Sequence, residues 1–258
     1  MIPILDSLAH PTLSGRWLDR PVDASFESLV TALAAQGYAG ACAVGTAGRD
    51  GYTHGAFLAE CQRHKELIPV AGVAPSGGAS FVDELEEVRR LGYRAIKIHP
   101  RLSGFSARLD ELDDIFQAAA ALDLVVFYCT YMHGRIEDHP PTDPLYSLVR
   151  LLKRCPRARV VLVHGGDVRL LEYAELVRFN GNLLLDLSLT LMKYRGSSVD
   201  ADIGFLVRAF DRRICVGTDF PEYSHADLRV RLEELFTELG PDKVDNIAHR
   251  NLQGFLAS

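Results

Sequence analysis

The chain has no paired or clustered cysteines. Its five (Cys42, Cys61, Cys129, Cys155 and Cys215) are scattered singly, odd in number and without CxxC spacing. That pattern argues against a disulfide framework and for reduced thiols, so a cytoplasmic location is expected. Also missing is any basic cluster longer than a couple of residues, and the formal net charge is −6. Neither nucleic acid nor a membrane surface is therefore expected as a partner. No apolar run approaches the length of a membrane span. The first residues lack a basic segment followed by a long apolar one, so no signal peptide is expected. Nothing reads as a linker or as low-complexity sequence. The 258 residues are expected to form one domain, 1–258.

What is present is an alternation of short apolar runs and longer amphipathic segments. The expected strands are Ile4–Leu8, Gly40–Val44, Ile68–Ala74, Ala95–His99, Leu124–Tyr128, Val160–His164, Leu183–Leu187 and Ile214–Gly217. Several, such as "RVVLVHGG" and "LDLVVFYCT", are continuous apolar runs, as strands buried on both faces of a parallel sheet require. Between them lie helical patterns. "SFESLVTALAAQG" opens at a Ser25 cap and stops at Gly37, and "SFVDELEEVRRLG" stops at Gly92. Eight strand–helix units in this length describe an α/β fold of the (β/α)8 barrel type, with a doubly wound open sheet as the competitor.

Chemistry in such a barrel sits at the C-terminal ends of the strands. Those ends carry His10, Lys97, His99, Cys129, His164, Asp186, Ser188 and Asp219. In "ILDSLAHP" strand alternation puts Asp6, Leu8 and His10 on one face. Lys97, His99 and Arg101 make a cationic strip suited to a substrate carboxylate. Tyr131, Trp17 and Tyr223 are candidates for walling a pocket over the mouth. His133, His139 and His225 lie in loop segments and are expected to be solvated.

Together "RVVLVHGG", "RICVGTDFP", "GYRAIKIHP" and "VDNIAHRNLQGFL" with its Asn251 resemble the amidohydrolase superfamily, within it the amidohydrolase-2 group. That group includes aminocarboxymuconate semialdehyde decarboxylase, related aromatic-acid decarboxylases and pyrone dicarboxylate lactonase. The resemblance covers nearly the whole chain. It implies that His164 handles protons or contacts a metal-bound water, and that Asp219 is a metal ligand, a general base or both. His10 falls at the second histidine of a His-x-His pair, and Asp6 at the aspartate that precedes it. The first histidine of that pair is Leu8 here, and the usual histidine of the fifth barrel strand is Cys129.

A catalytic zinc takes three protein ligands and an open position. His10, His164 and Asp219 are the candidates, with Cys129 the alternative to His164; the cofactor is thus one divalent metal, zinc first, or none. Without metal, Asp219 is expected to draw a proton from water, while His10 and His164 polarise a carbonyl or protonate the leaving oxygen. The resemblance supplies the precedent, since pyrone dicarboxylate lactonase is understood to work without metal. Cys129 beside His164 as a nucleophilic thiol–imidazole pair is a further reading. The expected substrate is a small anionic ester, lactone or amide, bound by Lys97, His99, Arg101 and Tyr131. A metal-dependent decarboxylase or hydrolase and a non-catalytic ligand-binding barrel are the alternatives, and a homodimer is left open.

Overall fold

A computed structural model describes residues 2–18, 20–49, 51–74, 80–102, 112–131, 134, 136 and 139–257. His133 lies outside the described residues. Each continuous apolar run forms a strand, and the strands make one eight-stranded parallel sheet. In chain order they are β1 (Leu5–Ala9), β4 (Gly40–Val44), β5 (Leu67–Val73), β6 (Ala95–Ile98), β7 (Val125–Cys129), β8 (Val160–Val163), β9 (Leu183–Asp186) and β10 (Ile214–Cys215). A short antiparallel hairpin, β2 (Arg16–Trp17) and β3 (Arg20–Asp23), follows β1. The helices are α1 (Phe26–Ala35), α2 (His54–Cys61), α3 (Phe81–Leu91), α4 (Leu112–Ala121), α5 (Pro144–Arg154), α6 (Leu170–Arg178), α7 (Thr190–Lys193), α8 (Ser198–Ala209), α9 (His225–Phe236), α10 (Pro241–Asp245) and α11 (Asn251–Ala257). The architecture is the expected (β/α)8 barrel.

Local signals place these elements. Ser25 caps α1 by accepting from the Ser28 N–H, and Asp143 caps α5 ahead of Pro144 at its first turn. Gly92 ends α3 in the left-handed conformation, at φ +109°. Strand alternation then sorts side chains between two apolar layers. Ile96, Val126, Tyr128 and Leu162 pack outward under the helices, whereas Ala95, Val125, Phe127 and Val161 fill the barrel. By the same period of two, Lys97 shares the inward face with Ala95, and Cys129 with Phe127.

The barrel closes between β1 and the segment after β10. Ser7 N donates to Val216 O (2.9 Å), Asp219 N to Leu8 O (2.9 Å) and His10 N to Phe220 O (2.8 Å). Gly217 is needed at this seam: a Cβ there would lie 2.5 Å from Ser7 Oγ and 2.7 Å from Asp6 Oδ1. The pairing of β1 with β4 slips between Asp6 and Ala9. Leu5 and Leu8, three apart, consequently lie in the same inner cluster.

Asp6, Leu8 and His10 therefore do not form the continuous row that strict alternation implies. Asp6 holds the seam. Its Oδ1 accepts from Leu8 N and Thr218 N, both at 3.0 Å, and its Oδ2 from Thr218 Oγ1 at 2.6 Å. His225 Nε2 lies 3.0 Å from Asp6 Oδ2. Far from being solvated, His225 is 1% exposed. Asn251 serves the same wall, its Nδ2 donating to the carbonyls of Asp211 and Ile214.

Candidate active site

The strand ends converge on a cavity of about 290 Å³ at the barrel mouth. His10, Lys97, His99, Arg101, Tyr131, His164 and Asp219 all line it, and Cys129 does not. The strands β6 and β8 stop one residue short of His99 and His164, so both histidines belong to the loops above.

His164 turns out of β8 at φ +68°, and Gly165 and Gly166 follow at positive φ. A Cβ on Gly166 would fall 2.1 Å from the Tyr173 ring, so the second glycine is sterically required. The turn is secured by Asp186, whose carboxylate accepts from His164 N (3.2 Å), Ser188 N (3.1 Å), Ser7 Oγ and Ser188 Oγ. Asp186 is thereby a framework carboxylate, used up in holding β8, β9 and β1 together.

Backbone carbonyls settle two tautomers. His10 Nδ1 lies 3.0 Å from Val44 O, and His164 Nδ1 lies 3.0 Å from Ser188 O. A carbonyl only accepts, so each Nδ1 carries the proton and each Nε2 keeps a lone pair. Burial, reinforced by the Lys97 charge, holds His10 down to about 3 and His164 well below its ordinary value. Both are neutral at physiological pH. The expectation that they polarise a carbonyl is corrected on this point: a bare Nε2 accepts a proton or a hydrogen bond, and it cannot donate one.

Asp219, at φ +55°, places Oδ1 3.5 Å from His10 Nε2. Burial raises its carboxyl to about 7, against the opposing pull of Lys97. Burial outweighs the attraction between the two partners, so the pair prefers to stay uncharged. Trp17, carried on the hairpin, stacks on His10 at 5.4 Å and donates Nε1–H to Glu222 Oε1 at 2.7 Å. The hairpin thus covers one side of the mouth.

The nucleophilic pair is redrawn. Cys129 Sγ lies 3.6 Å from His99 Nε2, and its imidazole partner is His99, not His164. His99 Nδ1 accepts from Leu102 N, so Nε2 is the protonated nitrogen and points a donor at the sulfur. Burial holds the thiol's pKa up. A buried thiol facing an N–H is not activated as a nucleophile.

The cationic wall is larger than the sequence indicated. Lys193 donates to Tyr131 Oη at 3.0 Å, with its ammonium 4.3 Å from the ring centroid. The Arg101 guanidinium lies 5.3 Å from the same centroid. Lys193, Glu222 and Thr46 line the cavity and were not anticipated, because each comes from a loop or short helix without a recognisable motif. Glu222 is neutralised by Arg20 at 2.6 Å. Tyr223 is not among the lining residues, and His139 is exposed.

The family model for amidohydrolases (the amidohydrolase-2 family) matches residues 7–251, and the chain belongs to that family. No curated protein matches the sequence. Among solved structures, an uncharacterized TIM-barrel protein from Bordetella bronchiseptica superposes with a TM-score of 0.78 at 20% identity, covering 99% of each chain. A putative 2-pyrone-4,6-dicarboxylic acid hydrolase from Pseudomonas putida gives 0.68 at 17% identity, covering 100% of this chain and 98% of that one. The 5-carboxyvanillate decarboxylase of Sphingomonas paucimobilis gives 0.73 at 13% identity, covering 100% and 99%. At these identities the likeness is one of fold.

The divalent metal implied by the resemblance does not fit these residues. Leu8 replaces a ligand and lies fully buried in the inner apolar cluster. The expected set of His10, His164 and Asp219 does not gather around one point. Among the described residues no group of three His, Cys, Asp or Glu side chains does so.

Proposed function

We propose that the chain hydrolyses a small carboxylated ester or lactone by attack of water on its carbonyl. The observation that carries this reading is the pairing of Asp219 with the bare Nε2 of His10 in a cavity also lined by Lys97, Arg101 and Lys193. Ionised Asp219 takes a proton from water as the oxygen bonds to the carbonyl carbon. The C–O bond to the leaving group then breaks, and the proton passes to the departing alkoxide, directly or through His10 Nε2. The second lone pair, on His164, orients the water. A base with a pKa near 7 is well matched to this cycle, because it both accepts and returns the proton at neutral pH.

Arg101 and Lys193, both against the Tyr131 ring, provide for a substrate carboxylate. A panel of carboxylated lactones and aryl esters, each beside its neutral methyl ester, tests the reading by following acid release. The carboxylated members are expected to be turned over with a kcat/KM about tenfold or more above their neutral counterparts. Equal turnover of the two sets, or none of either, defeats it. Release of carbon dioxide without hydrolysis assigns the chain to decarboxylation instead. With a working substrate, Lys193→Met is expected to raise KM about tenfold and leave kcat within a few-fold. A change confined to kcat would remove Lys193 from the binding wall.

A further inference from the structure

Hydrolysis by water is accelerated by a hydrogen-bond donor or positive group at the carbonyl oxygen, where negative charge develops. The neutral, Nδ1-protonated imidazoles of His10 and His164 cannot supply it. Arg101 and Lys193 are engaged around Tyr131. Lys97 is different. It is 3% exposed, it lines the cavity, and its Nζ has no hydrogen-bond partner among the described residues. A buried amine without a partner destabilises the fold, so its retention calls for a use outside packing.

Its surroundings indicate that use. β6 sets Lys97 on the inward face above Ala95, in the apolar layer that also contains Leu8. His10, His164 and Asp219 line the same cavity and none of them hydrogen-bonds Nζ, so the ammonium's N–H groups stay open to a substrate oxygen. Lys97 is also the foremost charge acting on His10, His99, His164 and Asp219 alike. One cation is thus shared by the residues that the family resemblance would assign to a metal.

We propose that Lys97 is the resident cation of this site. In the role the resemblance gives to a divalent metal, its ammonium donates to the carbonyl oxygen as the tetrahedral intermediate forms. Leu8 is the complementary change: with the cation attached to the chain, the first ligand position is free to become core. The catalytic half of this proposal rests on the hydrolase reading, while the exclusion of metal stands apart from it.

The test compares zinc uptake, by equilibrium dialysis after chelator treatment, in the parent, Lys97→Met, Asp219→Asn and the double variant. Thermal melts by circular dichroism establish that each is folded, and Lys97→Met is expected to melt at or above the parent. The parent is expected to show no zinc uptake that depends on Asp219. Removing the ammonium is expected to raise zinc uptake by the adjacent His10 and Asp219 about tenfold above the parent's background, and the double variant to lose the gain. With a substrate from the panel, Lys97→Met should lower kcat about a hundredfold and leave KM within a few-fold. One zinc per parent chain, abolished by Asp219→Asn, overturns the proposal. So does a Lys97→Met protein with the parent's zinc affinity and kcat. If no panel member is hydrolysed, the hydrolase reading fails while the zinc comparison still decides the metal-exclusion half.

Discussion

Asp219→Asn is expected to lower kcat/KM by about 10³-fold, within the 10²–10⁴ range for loss of a general base, while making the folded protein more stable above neutral pH. The two effects have one cause. Burial raises the Asp219 carboxyl from 3.8 to about 7, so ionising it inside the barrel is unfavourable. In the unfolded chain the group ionises near its ordinary value. The folded state therefore holds a proton that the unfolded state has lost between about pH 4 and 7. The associated stabilisation is fully present below pH 4 and is lost as pH rises through 7, at a cost on the order of 2–4 kcal/mol by pH 8. Asparagine cannot ionise and escapes that cost. Unfolding measured at pH 5 and pH 8 should show the variant's gain over the parent larger at the higher pH. The parent's kcat/KM should climb with pH and reach half its plateau near 7. A parent profile flat from pH 5 to 8, or a variant that keeps its rate, would remove Asp219 as the base.

The imidazoles act on the opposite limb. His10 is held down to about 3, and His99 and His164 well below 6.5. Each is neutral when folded and gains a proton on unfolding at pH below about 6.5. Their contribution is full above 6.5 and is lost as pH falls towards the depressed values.

Much of the barrel was legible because continuous apolar runs leave little choice: "VVLV" and "VVFYC" suit strands covered on both faces. Strand ends then pointed to His10, Lys97, His99, His164 and Asp219 as neighbours, since a barrel brings all such ends to one face. The remainder depends on contacts between segments far apart in sequence. The slip of register in β1 follows from the seam with Thr218, more than two hundred residues away. The hairpin strands are short and mostly polar, with no period to read. The tautomers of His10 and His164 are set by the carbonyls of Val44 and Ser188, which no spacing reveals. The partner of Cys129 depends on where the chain turns after β6, and that turn gives the sulfur to His99. Lys193 comes from the four-residue helix α7, too short to announce a face.

Asp6→Ala is expected to cost about 3–5 kcal/mol of stability, because several buried donors each lose a partner at roughly 1–3 kcal/mol apiece. Asp6 is fully buried and satisfies Leu8 N, Thr218 N and Thr218 Oγ1 while facing His225 Nε2. Alanine leaves all of these without their partner inside the barrel wall. Asp6→Asn keeps the shape and one accepting oxygen for the two backbone N–H groups, so its cost should be less than half as large. The loss should also vary little between low and high salt, because these buried contacts are shielded from the ions that screen surface charges. Urea unfolding of the two variants at neutral pH measures the difference. A catalytic consequence follows from connectivity: Asp219 N is bonded to Leu8 O, and Asp6 fixes the peptide groups on both sides of that bond. Loosening the seam should therefore lower kcat in Asp6→Ala even at temperatures where the variant is fully folded. An Asp6→Ala protein within about 1 kcal/mol of the parent would mean that the barrel closes on its backbone bonds alone.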